Sequence, residues 1–249
     1  MNGLSSYSNP RLLGWTMPEG VQNSRLFYRS IRSIVRALSS TLWNLRAFER
    51  RYEPTSGGVV YVANHQSFLD PVLIGVSLRR PLCFMARDNL FNPPLKRIFG
   101  ALNAFPVRRG TADLTAVKEG MRRIKAGGQV VVFAEGTRSP DGRIGRMLPG
   151  AAMFAQRAAD WTVPVLIDGA FEAWPRKQIL PNPGNVVVRF APPIPRTEVQ
   201  KYSPQELVDH IRGILIDLQT DTRLRLGRPP LHYDPEFLAA PHSTRARQP

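Results

Sequence analysis

Apolar residues recur with the period of an α-helix from about Asn23 to Phe48. The apolar positions, at steps of three, four and seven, are Leu26, Phe27, Ile31, Ile34, Val35, Leu38, Leu42 and Leu45. A second stripe of the same period is basic and consists of Arg25, Arg29, Arg32 and Arg36. A basic amphipathic helix is typical of helices that lie in a membrane interface. The pattern also fits a helix packed on the core with a solvated arginine face, and both interpretations stay open.

After this helix, short apolar runs alternate with segments of helical period, which is the pattern of an α/β domain. Strands are predicted at 57–63, 82–86, 129–134, 163–167 and 185–190. Helices are predicted at 71–78, 111–126 and 151–159, and from Pro204 onward behind a capping box that begins at Ser203. We therefore expect an α/β fold with a single mixed sheet flanked by helices, preceded by an N-terminal amphipathic helix on a membrane surface.

Composition divides the chain of 249 residues into three parts. Residues 1–50 contain a polar arm and the basic amphipathic helix, and residues 51–226 form the α/β domain. Residues 227–249 are rich in proline and arginine and show no period, so we expect a disordered basic tail.

The charge balance is strongly basic, with 34 lysines and arginines against 19 acidic residues, a net charge of +15 and a pI near 11.0. Such a surface attracts polyanions, namely nucleic acid, an anionic membrane or phosphorylated small molecules. The arginines are spread along the chain, and we find neither a nucleic-acid recognition helix nor an aromatic sheet motif. Nucleic-acid binding is therefore the weakest of the three interpretations.

The sequence also indicates where in the cell the protein is located. Cys83 is the single cysteine, which excludes an internal disulfide framework and fits a reducing compartment. No apolar stretch approaches the roughly 20 residues that span a bilayer, and the first twenty residues lack the pattern of a secretory signal. We expect a peripheral protein on the cytoplasmic side of a membrane, without a transmembrane span.

The strongest candidate for chemistry is the string Asn64-His65-Gln66-Ser67-Phe68-Leu69-Asp70, which directly follows a predicted strand. Reactive groups of α/β folds lie at strand ends, and an imidazole can act as a base that a carboxylate orients. On a regular helix, side chains five positions apart point about 140° apart. His65 and Asp70 can therefore meet only if the intervening residues form a loop. The residues alone leave a second interpretation open, in which Asp70 merely caps a helix that begins at Pro71.

Two further polar strings follow apolar runs. Arg108 and Arg109 end a short apolar run, and paired guanidinium groups can clamp a phosphate through bidentate donors. The string Glu135-Gly136-Thr137-Arg138-Ser139 combines a glycine that permits close approach of a ligand, two hydroxyls and an arginine. Both strings suit an anionic ligand. We find no spacing typical of metal ligands.

Taken together, these strings resemble the motifs of the glycerolipid acyltransferases, the PlsC-like family of 1-acylglycerol-3-phosphate acyltransferases. The string that ends at Asp70 resembles the first motif, 104–110 the second, 133–139 the third and 163–167 the apolar fourth. Ala134 departs from the third motif, where the family usually has proline. The resemblance extends over 64–167, about two fifths of the chain.

The resemblance implies an enzyme, an O-acyltransferase that moves a fatty acyl group from a thioester of coenzyme A or acyl carrier protein to the hydroxyl of a lysophospholipid. The simplest acceptor is 1-acylglycerol-3-phosphate, which would give phosphatidic acid. His65 would be the general base, and Asp70 would orient it. No cofactor and no metal are implied. The implied substrate-binding residues are Asn64, Ser67, Arg108, Arg109, Glu135, Gly136, Thr137 and Arg138.

Within that set the resemblance and the charge suggest different roles. Arg109 and Arg138, with Arg108 beside them, would hold the acceptor phosphate. Glu135 would orient an arginine or the acceptor, and Ser67 would make a supporting hydrogen bond.

Three other interpretations remain. Ala134 and the tract 168–175 are compatible with another acceptor for the same chemistry, such as a lyso-glycolipid or a lyso-ornithine lipid. The charge alone is compatible with nucleic-acid binding. A membrane scaffold without activity is the last interpretation, and the intact His65, Asp70 and Glu135 argue against it.

Overall fold

The structure, a computed structural model, describes residues 25–92, 96, 99–100, 102–108, 113–175, 178 and 180–234, and only the backbone of residues 25–29. The helices are α1 (Arg25–Trp43), α2 (Asp70–Ser77), α3 (Leu114–Lys125), α4 (Ala152–Arg157), α5 (Ala170–Ala173), α6 (Arg196–Val199) and α7 (Pro204–Arg225). The strands are β1 (Arg46–Phe48), β2 (Val59–Ala63), β3 (Leu82–Arg87), β4 (Ala104–Val107), β5 (Gln129–Phe133), β6 (Trp161–Asp168), β7 (Val187–Phe190) and β8 (Ile194–Pro195).

These strands form one sheet in the order β1-β7-β6-β2-β5-β3-β4, with β8 also paired to β6. β6 pairs with β7 and β8 in the antiparallel direction, and the other neighbouring strands are parallel. The prediction of a single mixed sheet flanked by helices is confirmed. Because β6, β2 and β5 are adjacent and parallel, their carboxyl ends meet at one edge of the sheet.

The central strand β2 is buried along its whole length. Val59, Tyr61 and Ala63 belong to a core that includes apolar residues of α2 and α5. Val60 and Val62 belong to a second core that includes residues of α3, α4 and α7. Burial on both faces explains why β2 appears as an unbroken apolar run. The loop that follows β2 therefore begins at a fixed position in the domain.

Helix α1 is shorter than the sequence predicts, because it ends at Trp43 and not near Phe48. Asn44 has a φ of 41°, in the left-handed region that asparagine tolerates better than most residues. The chain then enters β1, which pairs with β7. The indole Nε1 of Trp43 donates a hydrogen bond of 3.0 Å to the carbonyl of Asn182 and so ties the end of α1 to the domain.

Part of the apolar stripe of α1 faces outward, whereas Ile31 and Val35 are half-buried. Ser39 and Trp43 are buried against the domain, whereas Ile34, Leu38 and Leu42 are 60%, 53% and 46% exposed. A helix that only packs on a core directs its apolar stripe inward, and the three exposed residues depart from that pattern. Within the described part of the chain, no helix is long and apolar enough to cross a membrane. The predicted apolar and basic stripes also include Arg25, Leu26, Phe27 and Arg29, whose side chains lie outside the described part of the chain.

Residues 227–234, which the sequence assigns to a disordered tail, contact the domain instead. Arg228 pairs with the buried Asp168 at the end of β6, and the Tyr233 ring packs against the second core. The prediction is wrong for this segment because its contacts are made with groups distant in sequence, and these leave no period in the segment itself. The predicted arm at 1–24 and residues 235–249 lie outside the described residues.

Candidate active site

The loop between β2 and α2 brings a histidine and an aspartate into contact. His65 Nδ1 lies 2.7 Å from Asp70 Oδ2. His65 follows β2 by two residues, and Asp70 is the first residue of α2, so the residues between them are not helical. The loop geometry that the spacing required is therefore present. Because a carboxylate accepts and does not donate, Nδ1 is the protonated ring nitrogen and Nε2 carries the lone pair.

The backbone of the same loop holds the carboxylate of Asp70. The Gln66 and Ser67 amides donate to Asp70 Oδ2 at 2.6 Å and 2.8 Å. The Asp70 side chain is fully buried, and it lies in the first turn of α2, where the helix dipole favours a negative charge. Asp70 is thus the first residue of α2 but does not cap it, because the N-cap position is Leu69 and no side chain of the described residues caps this helix end. The interpretation of Asp70 as a helix cap is wrong, and its carboxylate instead contacts the imidazole and the loop amides.

The imidazole ring is fixed from a second direction. It stacks on Phe133, the last residue of β5, with ring centroids 4.2 Å apart and an interplanar angle of 22°. The His65 side chain is 11% exposed. Together, Asp70 and Phe133 fix the orientation of the ring and thereby the direction of Nε2.

The other residues of the first motif mainly tie strand ends together. The Asn64 side chain donates to the Ile167 carbonyl at 2.9 Å and accepts from the Ile167 amide at 2.8 Å. This buried pairing extends the contact of β2 with β6. It engages both the Nδ2 and the Oδ1 of Asn64, a residue that the sequence assigns to substrate binding. Ser67 Oγ is fully buried and donates to the Trp174 carbonyl at 3.0 Å, which is a supporting contact.

Glu135, which follows β5, holds the main chain of the loop between β2 and α2. Its Oε1 accepts from the His65 amide at 2.8 Å, and its Oε2 accepts from the Gly145 amide at 2.9 Å. The Ser139 amide in turn donates to the His65 carbonyl at 2.7 Å. The predicted role of Glu135 was to orient an arginine or the acceptor. In the structure its oxygens contact backbone amides and join the first motif to the loop after the third.

Burial raises the pKa of Glu135 from its ordinary 4.5 to about 7, and the negative charge of Asp70 contributes to the increase. The His65 and Gly145 amides and the charge of Arg212 act in the opposite direction. This carboxyl group therefore titrates near neutral pH.

This titration predicts a pH dependence of stability. Between about pH 4.5 and pH 7 the folded state binds more protons than the unfolded chain, so the stability from this group is full below that window and lost above it. We expect a loss on the order of 2 kcal/mol, because partial exposure reduces the full effect. The Glu135→Gln variant removes the titration. Denaturant unfolding of both proteins at pH 5 and pH 8 measures the difference, and identical pH dependences would contradict the assignment.

The structure describes only some of the predicted anion-binding residues. Gly136 adopts a left-handed φ of 69°, and a Cβ there would lie 2.8 Å from Leu148 Cδ1, so this turn requires glycine. Thr137 is exposed, and Arg138 is partly buried in the same turn. Arg108 is exposed, and Arg109 lies outside the described residues.

Sequence reasoning missed Gln66, which lies inside the first motif. Its Nε2 donates to the Gly142 carbonyl at 2.7 Å, and its Oε1 accepts from the Phe171 amide at 3.2 Å. No local signal indicates this role, because the partners are 76 and 105 residues away.

A sequence model of the family described as Acyltransferase matches residues 44–168, half of the chain. The chain belongs to the acyltransferase family. The match includes the pair formed by His65 and Asp70, together with Glu135 and Arg138. The predicted membership of a PlsC-like acyltransferase family is thereby confirmed.

Relatives within the acyltransferase family support the same placement. A chloroplastic 1-acyl-sn-glycerol-3-phosphate acyltransferase of Arabidopsis thaliana is 33% identical over 139 residues, 54% of this chain and 39% of that protein. A probable 1-acyl-sn-glycerol-3-phosphate acyltransferase of Mycoplasma genitalium is 28% identical over 179 residues, 66% of this chain and 67% of that protein. The chain spans about two fifths to half of the length of the first curated relatives that it matches.

The fold also resembles a solved structure of the acyltransferase family. The crystal structure of the 1-acyl-sn-glycerophosphate (LPA) acyltransferase PlsC from Thermotoga maritima superimposes with a TM-score of 0.64 and 24% identity. The superposition covers 76% of each chain. It confirms the fold of the domain.

Proposed function

We propose that this protein transfers a fatty acyl group from an acyl thioester to the free hydroxyl of a lysophospholipid. The acceptor that the relatives' names favour is 1-acylglycerol-3-phosphate, and the product would be phosphatidic acid. The contact between His65 Nδ1 and Asp70 Oδ2 is the observation that carries the proposal, because it leaves Nε2 as an oriented base. Either coenzyme A or acyl carrier protein suits the chemistry as donor, and no cofactor is needed.

The residues support a direct transfer. As the acceptor oxygen attacks the thioester carbonyl, His65 Nε2 takes the hydroxyl proton, and Asp70 stabilises the imidazolium. The tetrahedral intermediate then expels the thiolate, which recovers the proton from Nε2. The enzyme forms no covalent bond with the acyl group. Ser67 is unsuited to act as a nucleophile because its hydroxyl is fully buried and donates to the Trp174 carbonyl.

In this proposal, guanidinium groups bind the acceptor phosphate. Arg138 lies in the turn that also carries Glu135 and Ser139, and both of those residues hydrogen-bond the main chain of His65. An arginine in this turn is therefore close to the base. Arg109 and Arg108 complete the set by their resemblance to the second motif and by the charge they add.

Product identification tests the proposal. The purified protein is incubated with lysophosphatidic acid and mixed acyl-CoAs, and the lipids are analysed by mass spectrometry. We expect phosphatidic acid, and less product from lyso-glycolipid and lyso-ornithine acceptors that lack the phosphomonoester. No acylated product from any of these acceptors, with either acyl-CoA or acyl carrier protein as donor, would refute the function.

The proposal includes a peripheral position on an anionic membrane, with α1 as the contact. The outward stripe of Ile34, Leu38 and Leu42 is an apolar surface of the kind that enters a lipid interface. Basic residues accompany it. Burial and the charges of neighbouring arginines lower the pKa of Arg50, and the charge of Glu53 acts in the opposite direction. The neighbours are Arg36, Arg79 and Arg32. Anionic headgroups would relieve this repulsion.

Membrane binding can be tested on one leucine. We expect Leu38→Glu to weaken binding to vesicles of anionic phospholipid by about tenfold or more, because it removes the burial of one large apolar side chain. Leu224→Glu is a matched control, since Leu224 is similarly exposed on α7, at 59% against 53% for Leu38. Vesicle co-sedimentation measures both variants. Equal binding of both variants would argue against α1 as the contact.

A further inference from the structure

The segment Gly227–Asp234, here called the C-terminal strap, is attached to the domain at both ends. At its start, the Arg228 guanidinium donates to Asp168 Oδ2 at 3.1 Å, and Asp168 is fully buried at the end of β6. Arg223 Nε donates to the Pro229 carbonyl at 2.8 Å. These contacts direct the strap from the end of α7 back across the domain.

Near its other end, the strap is attached through the hydroxyl of Tyr233. This hydroxyl accepts a hydrogen bond of 2.9 Å from the Ile144 amide and donates to Gln219 Oε1 on α7. Burial raises the pKa of Tyr233 to about 12, so the hydroxyl keeps its proton at neutral pH and remains a donor.

Ile144 belongs to the loop Ser139–Arg146, here called the arginine loop because it carries Arg143 and Arg146. The catalytic motifs hold one side of this loop. Gln66 donates to the Gly142 carbonyl at 2.7 Å, and Glu135 accepts from the Gly145 amide at 2.9 Å.

Helix α7 and the strap hold the other side of the arginine loop. Gln219 Nε2 donates to the Gly142 carbonyl at 3.2 Å, and Arg212 Nε donates to the Gly145 carbonyl at 2.9 Å. The Arg143 guanidinium also donates to the strap, at the His232 carbonyl, over 3.4 Å. Gly142 and Gly145 are therefore each held by one residue of a catalytic motif and one residue of α7. Tyr233 contacts both Ile144, which lies between these glycines, and Gln219.

We propose that Tyr233 is a positioning residue for the acceptor site, which it serves by fixing the arginine loop against the catalytic loop. The inference rests on the proposed function, in which Arg138, the residue that directly precedes the arginine loop, helps to bind the acceptor phosphate. Tyr233 does not touch the reacting atoms. It acts through Ile144 and Gln219, on a loop that also supplies the Gly145 contact to Glu135.

The Tyr233→Phe variant tests the proposal, because it keeps the packed ring and removes both hydrogen bonds. We expect the KM for lysophosphatidic acid to rise about fivefold, the factor that one net hydrogen bond supports. The KM for acyl-CoA and kcat at saturating acceptor should stay within about twofold, since the base and its aspartate are untouched. Tyr202→Phe is the control, because Tyr202 is a partly buried tyrosine that stacks on His210 away from the arginine loop. An unchanged acceptor KM in Tyr233→Phe would overturn the proposal, as would an equal rise for donor and acceptor.

Hydrogen exchange separates this inference from the proposed function, because it needs no activity. In Tyr233→Phe, amides of the arginine loop should exchange faster than in the wild type, most clearly at Ile144. Unchanged exchange would refute the positioning role even if the acyl acceptor proved to be a different lipid.

Two truncated chains provide a second test. A chain ending at Asp234 should retain the wild-type acceptor KM. A chain ending at Leu226 should reproduce or exceed the Tyr233→Phe effect. A chain ending at Leu226 that retains the wild-type acceptor KM would overturn the proposal.

Discussion

The His65→Ala variant should lose acyl transfer by about 10³-fold or more, within the range of 10²- to 10⁴-fold that a positioned general base contributes. The acceptor hydroxyl is a weak acid, so its attack on a thioester depends on a base that takes the proton as the bond forms. Within the described residues, the imidazole is the base oriented by both a buried carboxylate and an aromatic ring. The measurement is kcat with saturating lysophosphatidic acid and acyl-CoA.

This variant should remain folded, because the loop is anchored through the main chain of residue 65. Glu135 accepts from the His65 amide, and Ser139 donates to the His65 carbonyl, and an alanine keeps both contacts. His210→Ala is the matched control, since His210 lies on α7 and stacks on Tyr202 at 5.2 Å. Circular dichroism and the thermal midpoint check the fold of both variants. Near-normal kcat in a folded His65→Ala protein would disprove the proposed mechanism.

The features that the sequence predicted correctly depend on neighbours along the chain. The run 59–63 indicates a strand because each residue is apolar and both faces of the sheet are covered. The contact between His65 and Asp70 was implied by the resemblance of residues 64–70 to the first motif of the family, and the five-residue spacing required only that a loop separate the two residues. Helix α7 begins at the predicted capping box, in which Ser203 accepts from the Glu206 amide.

The missed features depend on partners far along the chain. Asn64 pairs with Ile167 and Glu135 with the His65 amide, over separations of 103 and 70 residues. A motif identifies these residue types as important, but the pairing arises only once β2, β5 and β6 lie side by side. The C-terminal strap was missed for the same reason, because Tyr233 finds its partners at Ile144 and on α7.

These long-range contacts suggest how the site is built. The end of β2 supplies the base, the end of β5 supplies its stacking partner and Glu135, and the end of β6 supplies Asp168, to which the strap is attached. The order of the sheet therefore places three segments, separate in sequence, around one loop. We expect substitutions at these anchors to act first on geometry, and substitutions in the base and its carboxylate to act first on the chemistry.

The Asp70→Asn variant should reduce kcat by about 10²- to 10⁴-fold, a range comparable to the loss when a base loses the carboxylate that orients it. Asparagine keeps one oxygen for the Gln66 and Ser67 amides but removes the charge that stabilises the imidazolium. Its NH₂ group would occupy the position of Oδ1, which is buried and has no hydrogen-bond partner among the residues that the structure describes. A buried donor left unpaired destabilises a protein by about 1–3 kcal/mol, so a lower thermal midpoint should accompany the loss of activity.

A helix cap elsewhere in the chain is a control that separates the catalytic role of Asp70 from its effect on stability. Ser203 caps α7 by accepting from the Glu206 amide at 3.3 Å. Ser203→Ala should lower stability by about 1 kcal/mol, the usual effect of a lost cap, and leave kcat unchanged. If Asp70→Asn behaved like Ser203→Ala, with lower stability and normal turnover, Asp70 would serve only to stabilise the loop before α2. A loss of turnover well beyond the loss of folded protein supports the orienting role, because only that role requires a negative charge beside His65 Nδ1.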